Sequence, residues 1–360
     1  MINSIAIENF KRFRNFKLSP LSRVTLVGGA NNVGKTTLLD AIFAVYNRLS
    51  PDLILRQYAG RGFNFVPGGA ENIWWPIFNE FRTDREIRIL FNWDTNNHAE
   101  EKLSVKLNKS YAYNVVPFGS DVAVRGSNTP SNQPEMQSYA LDVIYSKNNQ
   151  DIQVSHVTVA PNGLLMKTDF SHENPKPASI MGGRLISDYA MDAQMFGSLD
   201  VDYRASSVTS FLKDLEPRLK GLSVIAWGNK SVVYGDIGME KKMPVAFMGD
   251  GISRLLTMIL AIATCRDGVV LIDEIENGIH YSAMRNIWRN IGKAAREYNC
   301  QVVATTHSYE CIAAAKSGFA GGMQEDFSYV RLDKINGHIV PKVYTYDSIS
   351  VALDAEMEVR

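Results

Sequence analysis

The strongest chemical signal in the sequence is a glycine-rich segment that matches the phosphate-loop pattern GxxxxGK[ST]. The segment reads Gly29-Ala30-Asn31-Asn32-Val33-Gly34-Lys35-Thr36 and continues into Thr37. In such a loop the backbone N–H groups converge on phosphate oxygens at the N-terminus of a helix. The Lys35 ammonium would lie on the β- and γ-phosphates, and the Thr36 hydroxyl would bind Mg²⁺. The segment therefore predicts a site for ATP and Mg²⁺.

A second signal is a pair of carboxylates at the end of an apolar strand. The run Val269-Val270-Leu271-Ile272 leads directly into Asp273 and Glu274. We expect Asp273 to hold the Mg²⁺ shell and Glu274 to orient or deprotonate the attacking water. An acid pair at a strand end is common by itself, but downstream of a phosphate loop it indicates a Walker B segment.

Hydrophobic patterns predict the elements that must position these residues. Residues 23–27 form a short apolar run that ends in glycines, and residues 36–47 carry the apolar face of a helix. Further along the chain a helix, a buried strand, a second helix and a second strand follow one another; their predicted ranges are 252–265, 268–272, 282–298 and 301–305. Such alternation is typical of an α/β fold with a mostly parallel sheet flanked by helices.

The middle of the chain has a different pattern. Short alternating segments over residues 86–169 predict an antiparallel β insertion, and residues 178–222 are expected to be a mainly helical segment. We therefore predict a discontinuous core over residues 1–95 and 236–350. Residues 96–235 would form the β-rich insertion, followed by a helical subdomain.

With these segments in this order, the chain resembles ABC-type ATPase heads of the SMC, RecF and OLD families. The opening run from Ile5 to Phe13 is similar to the start of SMC and RecF proteins. The runs Asn31 to Thr37, Gly249 to Leu256 and Ile272 to His280 most closely resemble OLD-like stand-alone AAA ATPases of prokaryotic defence systems. The resemblance covers about residues 1–60 and 240–312, and it implies a P-loop NTPase fold of ABC-head type.

The resemblance also implies two further parts of the site. His307 follows an apolar strand where ABC-type ATPases carry a switch histidine that contacts the γ-phosphate. The run Gly249 to Ser253 lies where those proteins have the LSGGQ signature, with Gly251 on its second glycine. Gly249 replaces the signature serine, so that hydroxyl is either missing or supplied by Ser253. In the family, two heads hold ATP between the phosphate loop of one and the signature segment of the other.

Composition limits the possible classes of protein. The chain has 360 residues, of which 45% are hydrophobic, and 38 basic side chains balance 38 acidic ones. A net charge of zero does not by itself indicate nucleic acid or an anionic membrane as a partner. We find no secretory signal and no run near the ~18 apolar residues of a membrane span, so we expect a cytoplasmic protein without a membrane partner. The scattered Cys265, Cys300 and Cys311 are expected to be buried thiols.

The resemblance implies an ATP-driven switch that dimerises or oligomerises around ATP. We expect it to be the ATPase subunit of a bacterial anti-phage defence system that controls a separately encoded effector. OLD proteins carry a Toprim nuclease after the ATPase, but the stretch after His307 is too short for that domain. An intrinsic nuclease is therefore not expected.

Two alternatives remain open at the level of sequence. A RecF-like DNA repair or recombination ATPase fits the opening motif, whereas the ATPase subunit of a membrane transporter fits it poorly. DNA stays a possible partner because two groups of basic residues could meet phosphates. These groups are Lys11, Arg12, Arg14 and Lys17 at the first turn, and Arg285, Arg289, Lys293 and Arg296 along a predicted helix.

Overall fold

The structure is a computed structural model that describes residues 1–59, 73–94, 100–113, 136–160, 163–168, 174–182, 188–228 and 230–359. Its strands, in chain order, are β1 (Ile2–Phe10), β2 (Phe13–Leu18), β3 (Val24–Gly28), β4 (Ile87–Trp93), β5 (Glu101–Tyr113), β6 (Met136–Lys147), β7 (Gln150–Ala160), β8 (Gly163–Thr168), β9 (Ala178–Met181), β10 (Gly221–Trp227), β11 (Lys230–Asp236), β12 (Met243–Pro244), β13 (Val269–Ile272), β14 (Gln301–Thr305), β15 (Phe327–Ile335) and β16 (His338–Thr345). Its helices are α1 (Lys35–Tyr46), α2 (Leu53–Ala59), α3 (Tyr189–Val201), α4 (Ala205–Leu212), α5 (Asp250–Thr264), α6 (Tyr281–Glu297), α7 (Tyr309–Phe319) and α8 (Tyr346–Asp354). Among these residues no helix combines the length and apolar character that a membrane span requires.

The central sheet carries the predicted phosphate loop. Its strand order is β16-β15-β3-β14-β13-β9, and all neighbours are parallel except the β15–β16 hairpin. β3, β13 and β14 are buried along their whole length, since helices or a second sheet cover both faces. In β13, Val270 and Ile272 belong to one hydrophobic core, and Val269 and Leu271 belong to the other. This double burial explains why the strand is entirely apolar.

An antiparallel sheet packs beside the central one, with α1 between them in the same hydrophobic core. Its strand order is β2-β1-β4-β5-β6-β7-β8. The strands of the predicted insertion therefore continue a sheet that begins at residue 2. The predicted α/β fold, with a mostly parallel sheet flanked by helices, antiparallel strands in the middle of the chain and a helical segment after them, is confirmed. The division at residues 96 and 235 stays a prediction.

One local expectation was met only in part. Residues 178–222 were expected to be mainly helical, but Ala178–Met181 form β9, which pairs in parallel with β13 from Val269 to Ile272. Four residues are too few to show a periodicity, and the strand exists because β13 offers it a free edge. Helices α3 and α4 then follow as expected and pack on α5.

One minor expectation can also be compared with the structure. Cys265, Cys300 and Cys311 are free and buried, as predicted.

Candidate functional site

The phosphate loop leaves the carboxyl end of β3 and ends where α1 begins at Lys35. Gly29 and Gly34 have φ values of 129° and 94°, which side chains disfavour. A Cβ on Gly29 would also come within 2.5 Å of the Leu332 carbonyl oxygen on β15. Gly34 caps α1 without a side-chain hydrogen bond, so the first N–H groups of the helix face the loop. This arrangement can receive an anion.

The Lys35 ammonium lies inside the loop. It donates hydrogen bonds to the carbonyl oxygens of Gly29 at 2.8 Å and Ala30 at 3.0 Å. Burial lowers the pKa of the Lys35 ammonium from its ordinary value, and nearby carboxylates, led by that of Asp273, act in the opposite direction. The charge is thus held at the position where the loop would receive phosphates.

A chain of hydrogen bonds joins the start of α1 to the ends of two parallel strands. The Thr36 hydroxyl donates to Asp273 Oδ2 at 2.9 Å, and the Thr305 hydroxyl donates to Asp273 Oδ1 at 2.5 Å. The Thr305 hydroxyl oxygen in turn accepts the backbone N–H of Glu274 at 2.8 Å. The structure therefore brings together the predicted Mg²⁺ ligands. Thr305, which is fully buried at the end of β14, was not singled out in the sequence.

The oxygen ligands at this point suit Mg²⁺, which prefers carboxylate, hydroxyl, phosphate and water oxygens. No cluster of three or more acidic, histidine or cysteine side chains that could hold a metal occurs in the part of the chain that the structure describes. One carboxylate and one hydroxyl beside a phosphate loop fit an ion that takes its remaining ligands from phosphates and water. Asp273 and Thr36 would hold it.

Glu274 directly follows Asp273 and has an unusual backbone. Its φ is 51°, a region that residues other than glycine seldom adopt. The Glu274 carboxylate accepts a hydrogen bond from Asn277 Nδ2 at 2.7 Å. Asn277 is a second residue that sequence reasoning missed. A strained backbone and an oriented carboxylate are typical of a group that must be held in one position.

His307 lies beside a carboxylate that the sequence analysis did not single out. Both the His307 backbone N–H, at 2.9 Å, and its ring Nδ1, at 3.1 Å, contact Glu276 Oε1. The Glu276 side chain is 11% exposed, whereas the histidine ring is 51% exposed. The carboxylate can therefore orient the ring while the ring's other edge stays open. In the sequence, Glu276 is marked only as the third acid of the run Asp273-Glu274-Ile275-Glu276.

The predicted signature segment stands at the N-terminus of α5. Gly249, with φ 118°, precedes the helix, and a Cβ added to it would meet no atom within 4 Å. Ser253 is buried, so its hydroxyl does not point to solvent. Among the described residues, no hydrogen bond joins the run Gly249 to Ser253 with the phosphate loop. A single copy does not bring these two predicted parts of the site together.

A cavity of about 740 Å³ borders the other side of the phosphate loop. Asn32 and Thr37 form its wall on the loop side. The remaining wall comes from the β1–β2 turn, the turns around residue 80 and the β15–β16 hairpin: Lys11, Arg12, Phe13, Arg14, Asn15, Pro76, Phe78, Asn79, Glu80, Phe81, Lys334, Asn336, Gly337, His338 and Ile339. This cavity could not be predicted because its walls come from distant parts of the chain.

The basic groups named as possible DNA contacts are partly used inside the molecule. Lys11 bonds Asp40 at 2.7 Å and Gln57 at 2.9 Å, which ties the β1–β2 turn to the helix of the phosphate loop. Arg296 pairs with Asp326, and Lys293 lies 3.4 Å from Asp214.

Two solved structures resemble the chain at low sequence identity. One is the SMC head domain from Thermotoga maritima, with a TM-score of 0.41, 13% identity and coverage of 96% of this chain and 98% of that chain. The other is the Smc head domain with an extended coiled coil bound to the C-terminal domain of ScpA derived from Pyrococcus furiosus, with a TM-score of 0.46, 12% identity and 99% coverage of both chains.

Two curated proteins are similar along most of the sequence. An "ATP/GTP phosphatase" of Helicobacter pylori (strain ATCC 700392 / 26695) is 22% identical over 99% of both chains. The "Septu protein PtuA" of Bacillus thuringiensis is 23% identical over 92% of this chain and 78% of its own length.

Family models cover most of the chain. The model described as "AAA ATPase domain" matches residues 1–180. The model described as "AAA domain, putative AbiEii toxin, Type IV TA system" matches residues 120–313, which is more than half of the sequence. The chain therefore belongs to the AAA ATPase family represented by these models.

Proposed function

We propose that this AAA-family ATPase is a Mg²⁺-dependent switch whose copies associate around ATP and separate after hydrolysis. The observation that carries the proposal is the hydrogen-bond chain from Thr36 through Asp273 and Thr305 to the backbone of Glu274. This chain joins the phosphate-loop hydroxyl, the carboxylate of Asp273 and the backbone N–H of Glu274, and it supports the roles proposed for these residues.

In this proposal the phosphate loop binds the triphosphate. The backbone N–H groups of Gly29 to Thr37 surround its oxygens, and the Lys35 ammonium transfers its hydrogen bonds from loop carbonyls to the β- and γ-phosphates. Thr36 and Asp273 would hold Mg²⁺, which when bound would neutralise charge on the phosphate oxygens. Phosphoryl transfer is accelerated mainly by positioning of the reacting groups and by electrostatic stabilisation of the transition state, so the reaction requires a rigid site.

Glu274 is the proposed base. Its carboxylate is oriented by Asn277 and would orient or deprotonate the water that attacks the γ-phosphate. His307 would contact the γ-phosphate, and Glu276 keeps the imidazole in position for that contact. These roles agree with the resemblance to ABC-type heads.

We assign the nucleoside to the cavity beside the loop. A volume of about 740 Å³ lies within the range of small-molecule sites, roughly 300–1,000 Å³. Phe81 lines this cavity and is 67% exposed, and both Glu80 and Phe81 have positive φ, at 51° and 57°. A bulky residue held in this strained conformation presents its ring to the cavity. The base would stack on that ring.

A second copy is the proposed partner at the signature segment. The open Gly249 and the N-terminus of α5 offer backbone N–H groups to a phosphate held by another copy. Gly251 lies near Ala283 at the start of α6, so Phe247 and Tyr281 flank this face, and they are 71% and 72% exposed. Large exposed apolar side chains beside a polar site favour a protein interface. Because Ser253 is buried, the backbone rather than its hydroxyl would make the contact.

The biological setting is inferred from the relatives. The similarity to a Septu protein supports a defence system in which this chain is an ATPase that controls a separate effector. We expect the nucleotide to set the assembly state, since ATP held by two copies binds the closed state better than the open one.

The test is the molar mass of Glu274→Gln protein in solution, with and without Mg²⁺ and ATP, together with phosphate release by the unmodified protein. We expect the variant to bind ATP and to release phosphate more slowly than the unmodified protein. Its molar mass should increase when Mg²⁺ and ATP are added. Glu325→Gln, at an exposed acid, serves as the matched control and should behave like the unmodified protein. If Lys35→Ala binds ATP as tightly as the unmodified protein, the proposed phosphate site is contradicted. If the molar mass of Glu274→Gln is the same with and without ATP, the proposed switch is contradicted.

A further inference from the structure

The ATP site of a single copy is rich in carboxylates. Burial lowers the pKa of the Lys35 ammonium, and three nearby carboxylates act in the opposite direction: those of Asp273, Glu276 and Glu274. Among the described residues, no arginine forms an ion pair or a hydrogen bond with these acids or with the phosphate loop. Negative charge on a transferred phosphoryl group is commonly stabilised by arginine, lysine or a metal ion. An arginine for this role would therefore come from outside the copy that holds the ATP.

Arg254 is a partly buried cation without an internal partner. It lies on α5, one turn after Asp250, where the helix begins. In the part of the chain that the structure describes, its guanidinium forms no hydrogen bond and no ion pair. Burial lowers the pKa of this guanidinium, whereas the charge of Asp250 acts in the opposite direction. Partly buried N–H donors without acceptors cost free energy, which an anionic ligand can recover.

The guanidinium of Arg254 has a defined place on the loop that carries Glu274. A Cβ added to Gly278 in this loop would lie 2.9 Å from Arg254 Nε, 3.1 Å from Nη2 and 3.2 Å from Cζ. Gly278 also has a φ of 68°, so both its backbone and this close approach favour glycine. Nη1 is not among the nearest atoms and lies on the side away from the loop. The guanidinium is therefore packed on one side and keeps donors available on the other.

Arg254 lies on the face that the proposed function gives to a second copy. Gly249 and Asp250, at the start of this face, are both exposed. Asp250 and Arg254 are one helical turn apart and thus share one side of α5. Ser253 is buried, so its hydroxyl is not available to a partner. In the run from Gly249 to Arg254, only Arg254 combines a positive charge with available donors.

We propose that Arg254 binds the γ-phosphate of ATP held in the phosphate loop of a second copy. The inference rests on the proposed function, and it names the residue through which one copy completes the site of another. A guanidinium can donate a pair of parallel hydrogen bonds to phosphate oxygens, which a serine hydroxyl cannot do. Contact with Gly278 holds the guanidinium in place before the second copy arrives.

Arg254 forms no covalent bond in this reaction. Water forms a bond to the γ-phosphorus, the bond from that phosphorus to the β–γ bridging oxygen breaks, and ADP leaves with the electron pair. The proton of the water passes to Glu274 of the copy that holds the ATP. Arg254 of the other copy donates to the γ-phosphate oxygens and stabilises their charge. Because the two residues come from different copies, hydrolysis requires association.

The first experiment compares steady-state phosphate release by the unmodified protein and by Arg254→Met. Methionine keeps a long, unbranched side chain against Gly278 but removes the charge and the donors. We expect kcat to fall about a hundred- to thousandfold, the range for removing one donor to a developing negative charge. ATP affinity, measured at a protein concentration that keeps the copies apart, should stay unchanged, which also shows that the variant is folded.

The matched control is Arg289→Met on α6. Arg289 is also partly buried and without a partner among the described residues. Its backbone, however, packs on Gly318 of α7, where a Cβ would lie 3.1 Å from the Arg289 nitrogen. This variant loses the same charge at a different place and should keep the parental kcat. An equal loss of kcat in both variants would show a general effect of charge and overturn the role of Arg254.

The second experiment distinguishes action on another copy from action within one copy. Arg254→Met keeps Glu274, and Glu274→Gln keeps Arg254, so each should hydrolyse ATP slowly alone. An equal mixture of the two should regain activity, because the arginine of one protein completes the site of the other. A mixture of Arg254→Met with the double variant Arg254→Met/Glu274→Gln lacks the arginine altogether and should stay inactive. If the first mixture also stays inactive, Arg254 does not act on a second copy.

The third experiment measures association. With Mg²⁺ and ATP, the dissociation constant for association of Glu274→Gln should rise about ten- to hundredfold when Arg254→Met is added, as expected for loss of a hydrogen bond to a charged group. An unchanged constant would contradict the contact. If Glu274→Gln shows no ATP-dependent increase in mass, or the unmodified protein hydrolyses no ATP, the proposed function itself fails. If both of these hold and the mixture stays inactive, only the arginine contact is wrong.

Discussion

The hydroxyl of Thr305 donates a hydrogen bond to Asp273 Oδ1 at 2.5 Å, and this contact joins the carboxyl ends of β14 and β13. The same hydroxyl accepts the backbone N–H of Glu274 at 2.8 Å. One buried threonine thus sets the positions of both acids. Its register follows from the parallel pairing of Ile272 with Ala304, one residue before each group.

We expect Thr305→Val to lower kcat for ATP hydrolysis by about ten- to hundredfold, as loss of a group that orients a metal ligand does. Valine keeps the shape but removes the donor to Asp273 and the acceptor for Glu274. Steady-state phosphate release measures the effect, and Thr305→Ser, which keeps the hydroxyl, should retain most activity. A valine variant with parental kcat would show that Thr305 does not position the acids.

Glu276 and His307 are expected to act as one unit. Glu276→Ala, His307→Ala and the double variant should each lose activity, with the double variant losing less than the product of the two single effects. A coupling energy of about 0.5–3 kcal/mol is typical of residues in direct contact. Single-turnover hydrolysis of bound ATP gives the rates. If the loss of rate in the double variant equals the product of the two single losses, the Glu276 carboxylate does not act through His307.

Phe81→Ala should weaken ATP binding without affecting inorganic tripolyphosphate. Stacking of a base on an aromatic ring contributes about 1–3 kcal/mol, so the dissociation constant for ATP should rise about five- to hundredfold. Phe81→Tyr keeps the ring and serves as the control. Titrations with ATP and with tripolyphosphate separate the contribution of the base to affinity from that of the phosphates. If Phe81→Ala loses the same affinity for both ligands, the nucleoside does not bind at Phe81.

A buried carboxyl outside the site should make stability depend on pH. Burial raises the pKa of Asp192 to about 6, although its carboxylate accepts a hydrogen bond from the Thr257 hydroxyl at 2.8 Å. The folded form therefore binds the proton more tightly than the unfolded form, whose pKa is about 4. Stability should fall as pH rises from about 4 to 6 and then stay level.

Asp192→Asn should remove that dependence, because the amide is neutral at every pH and still accepts from Thr257. Urea unfolding near pH 4.5 and near pH 7.5 should show a gain of about 1–3 kcal/mol in the free energy of unfolding at the higher pH only. A gain of the same size at both pH values would indicate a packing effect instead of a titration.

Local sequence patterns were sufficient to predict the strands and the helix around the phosphate loop. The apolar run over 23–27 corresponds to β3, and the predicted helix over 36–47 corresponds to α1. The strand predicted over 301–305 has the bounds of β14. In each case neighbouring residues carry the information, because the apolar face of a helix and the burial of a strand repeat over a few positions. The roles given to the site residues remain predictions; these residues are the run Gly29 to Thr37, Asp273, Glu274, His307 and the run Gly249 to Ser253.

The sequence by itself also indicated the family and the order of the chemical groups. The phosphate loop, the acid pair and the histidine each lie within a short run of neighbouring residues, so each can be recognised without the structure. Only the tertiary structure decided which other residues serve them. Thr305 reaches Asp273, and Glu276 orients His307, through contacts between residues that are far apart in the sequence. Parallel strands bring their carboxyl ends to one edge, and that assembly, which no local pattern records, is what places these side chains within hydrogen-bonding distance.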